Sequence, residues 1–208
     1  MTKRRPTIYV LDDDISVCRA LSLLLKSHGF NVQTFTRAED FLAFQRPKVP
    51  SCLVLDLRLP GVKGLAMQET IEVQRLSLPI VFISGRGDIP TSVKAMKGGA
   101  VDFLPKPFTD KDLLEAIDRA ILKDKEMSKK QAEEEKIWRR IKILSPRELE
   151  VFRLVANGML NKQIAYKRGT TLQTIKVHRS RVMKKMQAKT VTELIDFAKK
   201  TGLVHSKR

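Results

Sequence analysis

Three acidic side chains follow two short hydrophobic segments of the sequence. Asp12 and Asp13 come directly after residues 7–11, and Asp56 follows residues 51–55. Three neighbouring carboxylates repel one another and raise each other's pKa unless a cation neutralises them. Carboxylate oxygens suit Mg²⁺, and a bound cation lets a carboxylate attack an anionic phosphoryl group. The residue types therefore predict a nucleophilic carboxylate at a magnesium site.

Two further polar residues follow other hydrophobic segments. Ser84 comes after residues 79–83, and Lys106 lies just beyond residues 101–104. A hydroxyl and an ammonium group are suitable ligands for phosphoryl oxygens. The alternative is that the aspartates at 12–14 only cap a helix, as aspartates often do. Capping leaves the polar residues after the other segments unexplained, so we favour a phosphoryl pocket.

The elements that must position these side chains are short apolar runs alternating with segments of helical periodicity. This alternation is typical of a parallel sheet flanked by helices, in which ligands bind at the carboxyl ends of the strands. We therefore predict an α/β fold with a doubly wound, five-stranded parallel sheet. The predicted strands are 7–11, 31–35, 51–55, 79–83 and 101–104. Turns are predicted at Gly29, at Pro60-Gly61 and at Gly98-Gly99.

The second part of the chain has the pattern of an all-α domain. Residues 123–136 are mostly charged, which predicts a solvated helix between two domains, with a flexible tether as the alternative. Ser145 to Glu148 have the sequence of a helix N-terminus with proline at its first position. Gly169 turns the chain, and Thr171 can cap a longer helix. Four short helices with this turn predict a helix-turn-helix domain.

The positive charge of the chain is concentrated in its second part. The net charge is +17, and residues 1–124 hold 18 basic and 15 acidic residues, whereas residues 125–208 hold 22 and 8. This distribution predicts a polyanionic partner for the second part. One side of the helix after Thr171 is predicted to face outward, with small, apolar and cationic side chains that suit the major groove. These residues are Gln173, Lys176, Val177, Ser180, Arg181 and Lys184. A solvated cationic face without a ligand is the alternative.

Several classes of protein are disfavoured by the sequence. Cys18 and Cys52 lie in apolar runs without metal-ligand spacing, which argues against a disulfide scaffold or a zinc module. The sequence has neither an apolar run of membrane-spanning length nor a secretory signal. We therefore expect a cytoplasmic protein that does not bind a membrane.

Four separated motifs resemble the receiver domain of two-component response regulators, which has a flavodoxin-like fold: V-L-D-D-D, L-V-L-D-L-R-L-P-G, I-V-F-I-S-G and F-L-P-K-P-F. The resemblance covers about residues 1–122. It implies that Asp56 accepts a phosphoryl group from a histidine kinase. It also implies that Asp13, Asp56 and the backbone carbonyl of Arg58 hold Mg²⁺ or Mn²⁺, while Asp12 acts mainly through water.

The resemblance also implies a switch. Ser84 and Lys106 would bind the phosphoryl group, and Phe103 stands where the family has a rotating aromatic residue, with plain core packing as the alternative. The Lys106-Pro107 bond matches a cis peptide bond of the family. The helix at 90–97 and the elements after it would form the altered surface, through which we expect the phosphorylated protein to form a homodimer.

The second part resembles the LuxR-type helix-turn-helix of the NarL/FixJ subfamily, over about residues 143–202. The motifs are L-S-P-R-E-L-E-V, N-G, N-K-Q-I-A and T-I-K-V-H-R. The resemblance implies base contacts from Lys176, Val177 and Ser180. It implies contacts to the DNA backbone from Asn161, Lys162, His178, Arg179 and Lys184. The predicted domains are therefore a receiver at 1–122, a helical linker at 123–142 and a DNA-binding domain at 143–208.

Two residues of the second domain have a second interpretation. For Arg179, an ion pair with Glu148 or Glu150 is the alternative to a phosphate contact, and for His178 core packing is the alternative. The family usually has leucine at the position of Arg168 and a β-branched apolar residue at that of Thr170, so we expect a more polar turn in this chain.

We predict a transcription factor controlled by phosphorylation. Its expected partners are a histidine kinase and promoter DNA, and RNA polymerase is a candidate third partner. It would not be a metabolic enzyme. One alternative is an aspartate-nucleophile phosphohydrolase, but that class needs an aspartate where Arg58 stands and a cap that the sequence lacks. Another alternative is a DNA-binding protein with a vestigial receiver, which the complete set of pocket residues disfavours.

Overall fold

The computed structural model of the protein describes residues 5–59, 62–73, 76–85 and 89–204. The chain divides into two compact units, unit 1 at Met1–Ser128 and unit 2 at Lys129–Arg208. The turn predicted at Pro60-Gly61 lies outside the described residues.

Unit 1 is built on a parallel sheet. Its strands, in chain order, are β1 (Thr7–Leu11), β2 (Asn31–Phe35), β3 (Ser51–Asp56), β4 (Arg58–Leu59), β5 (Val62–Lys63), β6 (Ile80–Ser84) and β7 (Asp102–Pro105). Five of them form the sheet in the order β2-β1-β3-β6-β7, with every neighbouring pair parallel. The short β4 and β5 pair antiparallel. The predicted doubly wound five-stranded sheet is confirmed.

Helices cover both faces of this sheet. They are α1 (Ile15–Ser27), α2 (Ala38–Ala43), α3 (Gly64–Val73), α4 (Ile89–Lys97) and α5 (Asp110–Lys142). Because successive strand residues point to opposite faces, Ile8 and Val10 pack with α1 and α5, while Tyr9 and Leu11 pack with α2, α3 and α4. Gly29 and Gly99 adopt positive φ angles of 85° and 86° just beyond α1 and α4, as helix ends commonly require.

The described part of unit 2 contains four further helices. They are α6 (Pro146–Ala156), α7 (Asn161–Arg168), α8 (Leu172–Met186) and α9 (Val191–Lys200). Ser145 Oγ accepts a hydrogen bond from the Glu148 N–H at 3.3 Å, and the Ser145 N–H donates to Glu148 Oε2 at 2.8 Å, which confirms the predicted capping box. Gly169 ends α7 with a φ of 57°, and Thr171 caps α8.

The core of unit 2 includes the end of α5. Ile137 and Ile141 are buried with Phe152, Ile164 and other apolar residues of the four helices. Residues 123–142 are helical throughout, as the sequence predicted. The last turns of this helix are not solvated as predicted, because they pack into the core of unit 2. No helix among the described residues combines the length and hydrophobicity needed to cross a membrane.

Candidate functional site

Two carboxylates and one ammonium group meet at the carboxyl end of the sheet in unit 1. Lys106 Nζ donates hydrogen bonds to Asp12 Oδ2 at 2.7 Å and to Asp56 Oδ1 at 3.0 Å. Strands β1 and β3 are paired in register through Leu11 and Leu55, so the residues that follow them lie side by side. Only 1% of Asp12 and 6% of Asp56 is exposed to solvent. The structure thus brings together three residues that are far apart in the sequence.

The charge of Lys106 is stabilised by this arrangement. Burial by itself lowers the pKa of Lys106, but the hydrogen bonds and negative charges of Asp12 and Asp56 outweigh that effect, so the pKa is raised. Lys106 therefore remains an ammonium group at neutral pH. It neutralises part of the carboxylate charge that the sequence predicted at this edge.

The ends of β6 and β7 are tied together beside these carboxylates. The Lys106 N–H donates to the backbone carbonyl of Ser84 at 2.7 Å, and Ser84 is buried. The Lys106-Pro107 peptide bond is cis, as the resemblance implied. Phe103 is half-buried and packs against Phe82, with the ring centroids 6.3 Å apart. The structure therefore places Ser84 at the pocket edge and Phe103 against the core beneath it.

The neighbouring aspartates have separate roles. Asp14 caps α1, because its Oδ1 accepts hydrogen bonds from the Ser16 N–H at 2.7 Å and the Val17 N–H at 3.4 Å. Asp12 instead bonds to Lys106, and Asp13 is exposed. The capping alternative is therefore correct for Asp14 and wrong for Asp12.

The pocket offers oxygen ligands of the kind that Mg²⁺ prefers. Asp12 and Asp56 already share one positive charge, that of Lys106, and Asp13 follows Asp12 directly. The Arg58 N–H donates to Asp56 Oδ2 at 2.6 Å, which holds the carboxylate at the strand end. Within the described ranges, no group of three or more His, Cys, Asp or Glu side chains is arranged to hold a metal ion. The donors are of a type that suits a hard cation, although in this arrangement Asp12 and Asp56 are engaged with Lys106.

Helix α8 in unit 2 has one buried and one exposed side. Ile175, Val182 and Met186 are buried, as the helical periodicity predicted. The residues on the other side are exposed: Gln173, Lys176, Val177, Ser180, Arg181 and Lys184. Small, apolar and cationic side chains are thus presented together to solvent, as a major-groove reading helix requires.

The start of α7 is connected to α8 by one hydrogen bond. Arg179 Nη1 donates to Asn161 Oδ1 at 2.8 Å, and both residues are half-buried. Lys162, next to Asn161, is exposed. His178 is half-buried, and its Nδ1 is one of two buried side-chain polar atoms that have no hydrogen-bond partner among the described residues.

Two ion pairs of unit 2 could not be foreseen from motif spacing. Glu148 accepts a hydrogen bond from Lys185 Nζ at 2.6 Å, which contributes to a lowered Glu148 pKa. Glu150 pairs with Arg168 at 2.6 Å. Arg179 donates to Asn161 and forms no ion pair with either glutamate among the described residues, so the alternative ion pair for Arg179 is wrong. Arg168, at the position where the family usually has leucine, is accommodated by its pairing with Glu150.

Comparison with known proteins agrees with both halves of this description. The profile of the response regulator receiver domain matches residues 8–118, and that of the luxR family of bacterial regulatory proteins matches residues 142–198. The chain belongs to the response regulators. Relatives named FixJ and this domain pair further place it in the NarL/FixJ subfamily, whose members are two-component transcriptional regulators.

The relatives of this response regulator resemble it over nearly its whole length. It is 44% identical to Nodulation protein W of Bradyrhizobium diazoefficiens, covering 94% of this chain and 86% of that protein. It is 39% identical to Transcriptional regulatory protein FixJ of the same organism, covering 95% of this chain and 97% of that protein. Among solved structures, the response regulator StyR has 41% identity and a TM-score of 0.78, covering 94% of this chain and 99% of that one. Full-length FixJ from B. japonicum has 38% identity and a TM-score of 0.56, covering 98% of this chain and 100% of that one.

Proposed function

We propose that a histidine kinase transfers a phosphoryl group to Asp56 and that this transfer controls DNA binding by unit 2. A carboxylate oxygen of Asp56 attacks phosphorus, the bond from phosphorus to the kinase histidine breaks, and an acyl phosphate forms. The observation that supports this proposal is the hydrogen-bonded group formed by Asp12, Lys106 and Asp56. Its lysine can move from a carboxylate oxygen to a phosphoryl oxygen without leaving the pocket.

We infer that Asp12, Asp13, Asp56 and the backbone carbonyl of Arg58 would hold Mg²⁺ or Mn²⁺. When bound, the cation would offset the negative charge on the carboxylate and the incoming phosphoryl group. Lys106 supplies a second positive charge, and its raised pKa keeps that charge present at neutral pH.

The acyl phosphate at Asp56 would carry roughly −1.5 to −2 charge in place of the single negative charge of the carboxylate. Lys106 and the hydroxyl of Ser84 are drawn toward the phosphoryl oxygens, and Phe103 adjusts to the movement of Ser84. The backbone bond between Lys106 and Ser84 joins the two loops, so they move together. Turning a 1:99 equilibrium into 99:1 requires about 5.5 kcal/mol of differential stabilisation.

Homodimer formation is the proposed response of unit 1. Helix α4 follows the Ser84 loop and exposes three large apolar side chains: Ile89 at 80%, Val93 and Met96. Exposed apolar residues clustered on one helix favour association with a partner surface. Movement of the neighbouring loop would change how this surface is presented to a second copy.

We propose that α8 lies in the major groove of promoter DNA. Gln173, Lys176, Val177 and Ser180 would face the base edges, and their exposure supports this assignment. The proposed contacts to the phosphate backbone are Asn161, Lys162, His178, Arg179 and Lys184. The protein would therefore act as a regulator in the cytoplasm, where its DNA lies, and not as a metabolic enzyme.

The phosphoacceptor is tested by labelling with radioactive acetyl phosphate in the presence of Mg²⁺. Asp56→Asn should abolish incorporation, because the amide is not a nucleophile. Asp40→Asn, at an exposed aspartate of α2, is the matched control and should be labelled like the unmodified protein. Incorporation by Asp56→Asn at the unmodified stoichiometry would refute the assignment.

A further inference from the structure

Helix α7 carries an exposed side from which the proposed DNA contacts use one residue, Lys162. Ile164 and Ala165 are buried in the core of unit 2 on one side of the helix. Residues three and four positions apart lie on the same side of an α-helix. The other side carries Lys162, Gln163, Tyr166 and Lys167, all of which are exposed.

The stripe borders a concave surface. Together with Met159, which precedes α7, these residues line a depression of about 580 Å³. Tyr166 is 92% exposed, and Leu160, the residue directly before α7, is 67% exposed. A large aromatic ring and a leucine left in solvent at one place are typical of a surface that buries them against a partner. We call the residues 159, 160, 162, 163, 166 and 167 the α7 stripe.

The charge of the α7 stripe is positive. Lys162 and Lys167 flank Tyr166, and the stripe contains no acidic residue. The ion pairs found among the described residues of unit 2 engage other cations: Arg147, Arg168, Lys185 and Lys200. Lys162 is a proposed phosphate contact, which leaves Lys167 available to carboxylates of a partner.

An acidic protein helix fits this surface better than a nucleic acid backbone does. Phosphates would pair with a lysine but would leave the exposed side chains of Tyr166 and Leu160 without an apolar contact. An amphipathic helix places apolar side chains into a groove and presents charged side chains along its edges. We propose that the α7 stripe binds an acidic amphipathic helix of a partner protein, with its apolar side against Tyr166 and a carboxylate at Lys167.

This proposal concerns unit 2 alone and does not depend on phosphorylation of unit 1. Its test uses the full-length protein and a fluorescein-labelled helical peptide of 16 residues, with leucines along one side and glutamates along the other. Binding is measured by fluorescence anisotropy. Tyr166→Ser and Lys167→Glu should each weaken binding at least about tenfold, as loss of a central aromatic or charged contact does. Trp138→Ser and Lys136→Glu change exposed residues of α5 and should bind like the unmodified protein.

Three further measurements can overturn the proposal. A matching peptide with lysines in place of glutamates should not bind, and tighter binding of this basic peptide would contradict the charge argument. Tyr166→Ser should bind a promoter-length DNA duplex within about twofold of the unmodified protein. A loss of duplex binding equal to the loss of peptide binding would assign the stripe to DNA. A change in sedimentation coefficient caused by Tyr166→Ser would assign it to a second copy of the chain.

Discussion

Lys106 Nζ donates a hydrogen bond to Asp56 Oδ1 across 3.0 Å, which joins the loop after β7 to the end of β3. The same nitrogen bonds to Asp12, so Lys106→Met would leave two buried carboxylates without a cation. We expect this change to destabilise the fragment 1–128 by about 1–3 kcal/mol, the usual cost of an unsatisfied buried polar group. Urea unfolding followed by circular dichroism measures the effect.

Magnesium should reduce that loss, because it would supply the missing positive charge. Adding Mg²⁺ should therefore raise the urea midpoint of Lys106→Met more than that of the unmodified fragment. Lys111→Met changes an exposed lysine of α5 and serves as the control. Equal midpoints for Lys106→Met and the unmodified fragment without Mg²⁺ would contradict the proposed role of Lys106.

The buried carboxylate of Asp124 predicts a pH-dependent stability. Asp124 Oδ2 accepts a hydrogen bond from the Ser51 N–H at 3.0 Å. Burial raises the pKa of Asp124, while that hydrogen bond and the charge of Arg46 lower it by less. The folded state thus favours the protonated acid, and unit 1 loses stability as the pH rises from the ordinary pKa of aspartate through the raised one.

The variant Asp124→Asn keeps an acceptor for Ser51 and removes the charge. Its urea midpoint should exceed that of the unmodified fragment 1–128 at pH 7, and the difference should shrink as the pH falls toward 4. Asp118→Asn, at an exposed aspartate of the same helix, should show no such trend. A constant difference across this pH range would rule out titration of Asp124 as its cause.

The buried end of α5 predicts where unit 2 can be separated. A fragment of residues 143–208 lacks Ile137 and Ile141, each of which is buried in the core of unit 2. Burial of one such side chain contributes about 1.5–3 kcal/mol, so the loss is a large part of the stability of a small domain. A fragment of residues 129–208 should melt cooperatively in circular dichroism, at a temperature well above that of 143–208. Equal melting temperatures would show that the two isoleucines contribute little.

The exposed side of α8 predicts two different effects on DNA binding. Lys176→Ala should reduce the preference for promoter DNA over random DNA, because it removes a proposed base contact. Lys184→Ala should weaken binding to both alike and reduce its salt dependence, because it removes a proposed phosphate contact. Gel-shift titrations at several salt concentrations measure both quantities. If the two variants lose affinity for promoter and random DNA in the same proportion, this division of roles is wrong.

The sheet of unit 1 was predictable because buried parallel strands are continuous apolar runs in the sequence. The polar residues at the strand ends were predictable for the same reason, since the strand boundaries locate Asp12, Asp56 and Lys106. The assignment of Asp14 to the helix cap was not, because neighbouring aspartates have the same chemistry. Only the backbone geometry at Asp14, with φ −82° and ψ 109°, separates the cap from the pocket.

Contacts between distant elements of unit 2 were the least predictable. The pairing of Arg168 with Glu150 depends on how α6 and α7 pack, which no local pattern encodes. The burial of Ile137 and Ile141 was missed because two isoleucines follow a long charged segment, which hides the short amphipathic signal. The capping box at Ser145 was found because both of its partners lie within one turn.

The central position of β3 limits how unit 1 can respond to a new charge. Its first residue is anchored by Asp124, its last is Asp56, and it is hydrogen-bonded to β1 on one side and β6 on the other. Sliding this strand would break two ladders at once and expose wholly buried side chains. The strand therefore serves as a rigid support. The loops that face it must rearrange to accommodate the added negative charge.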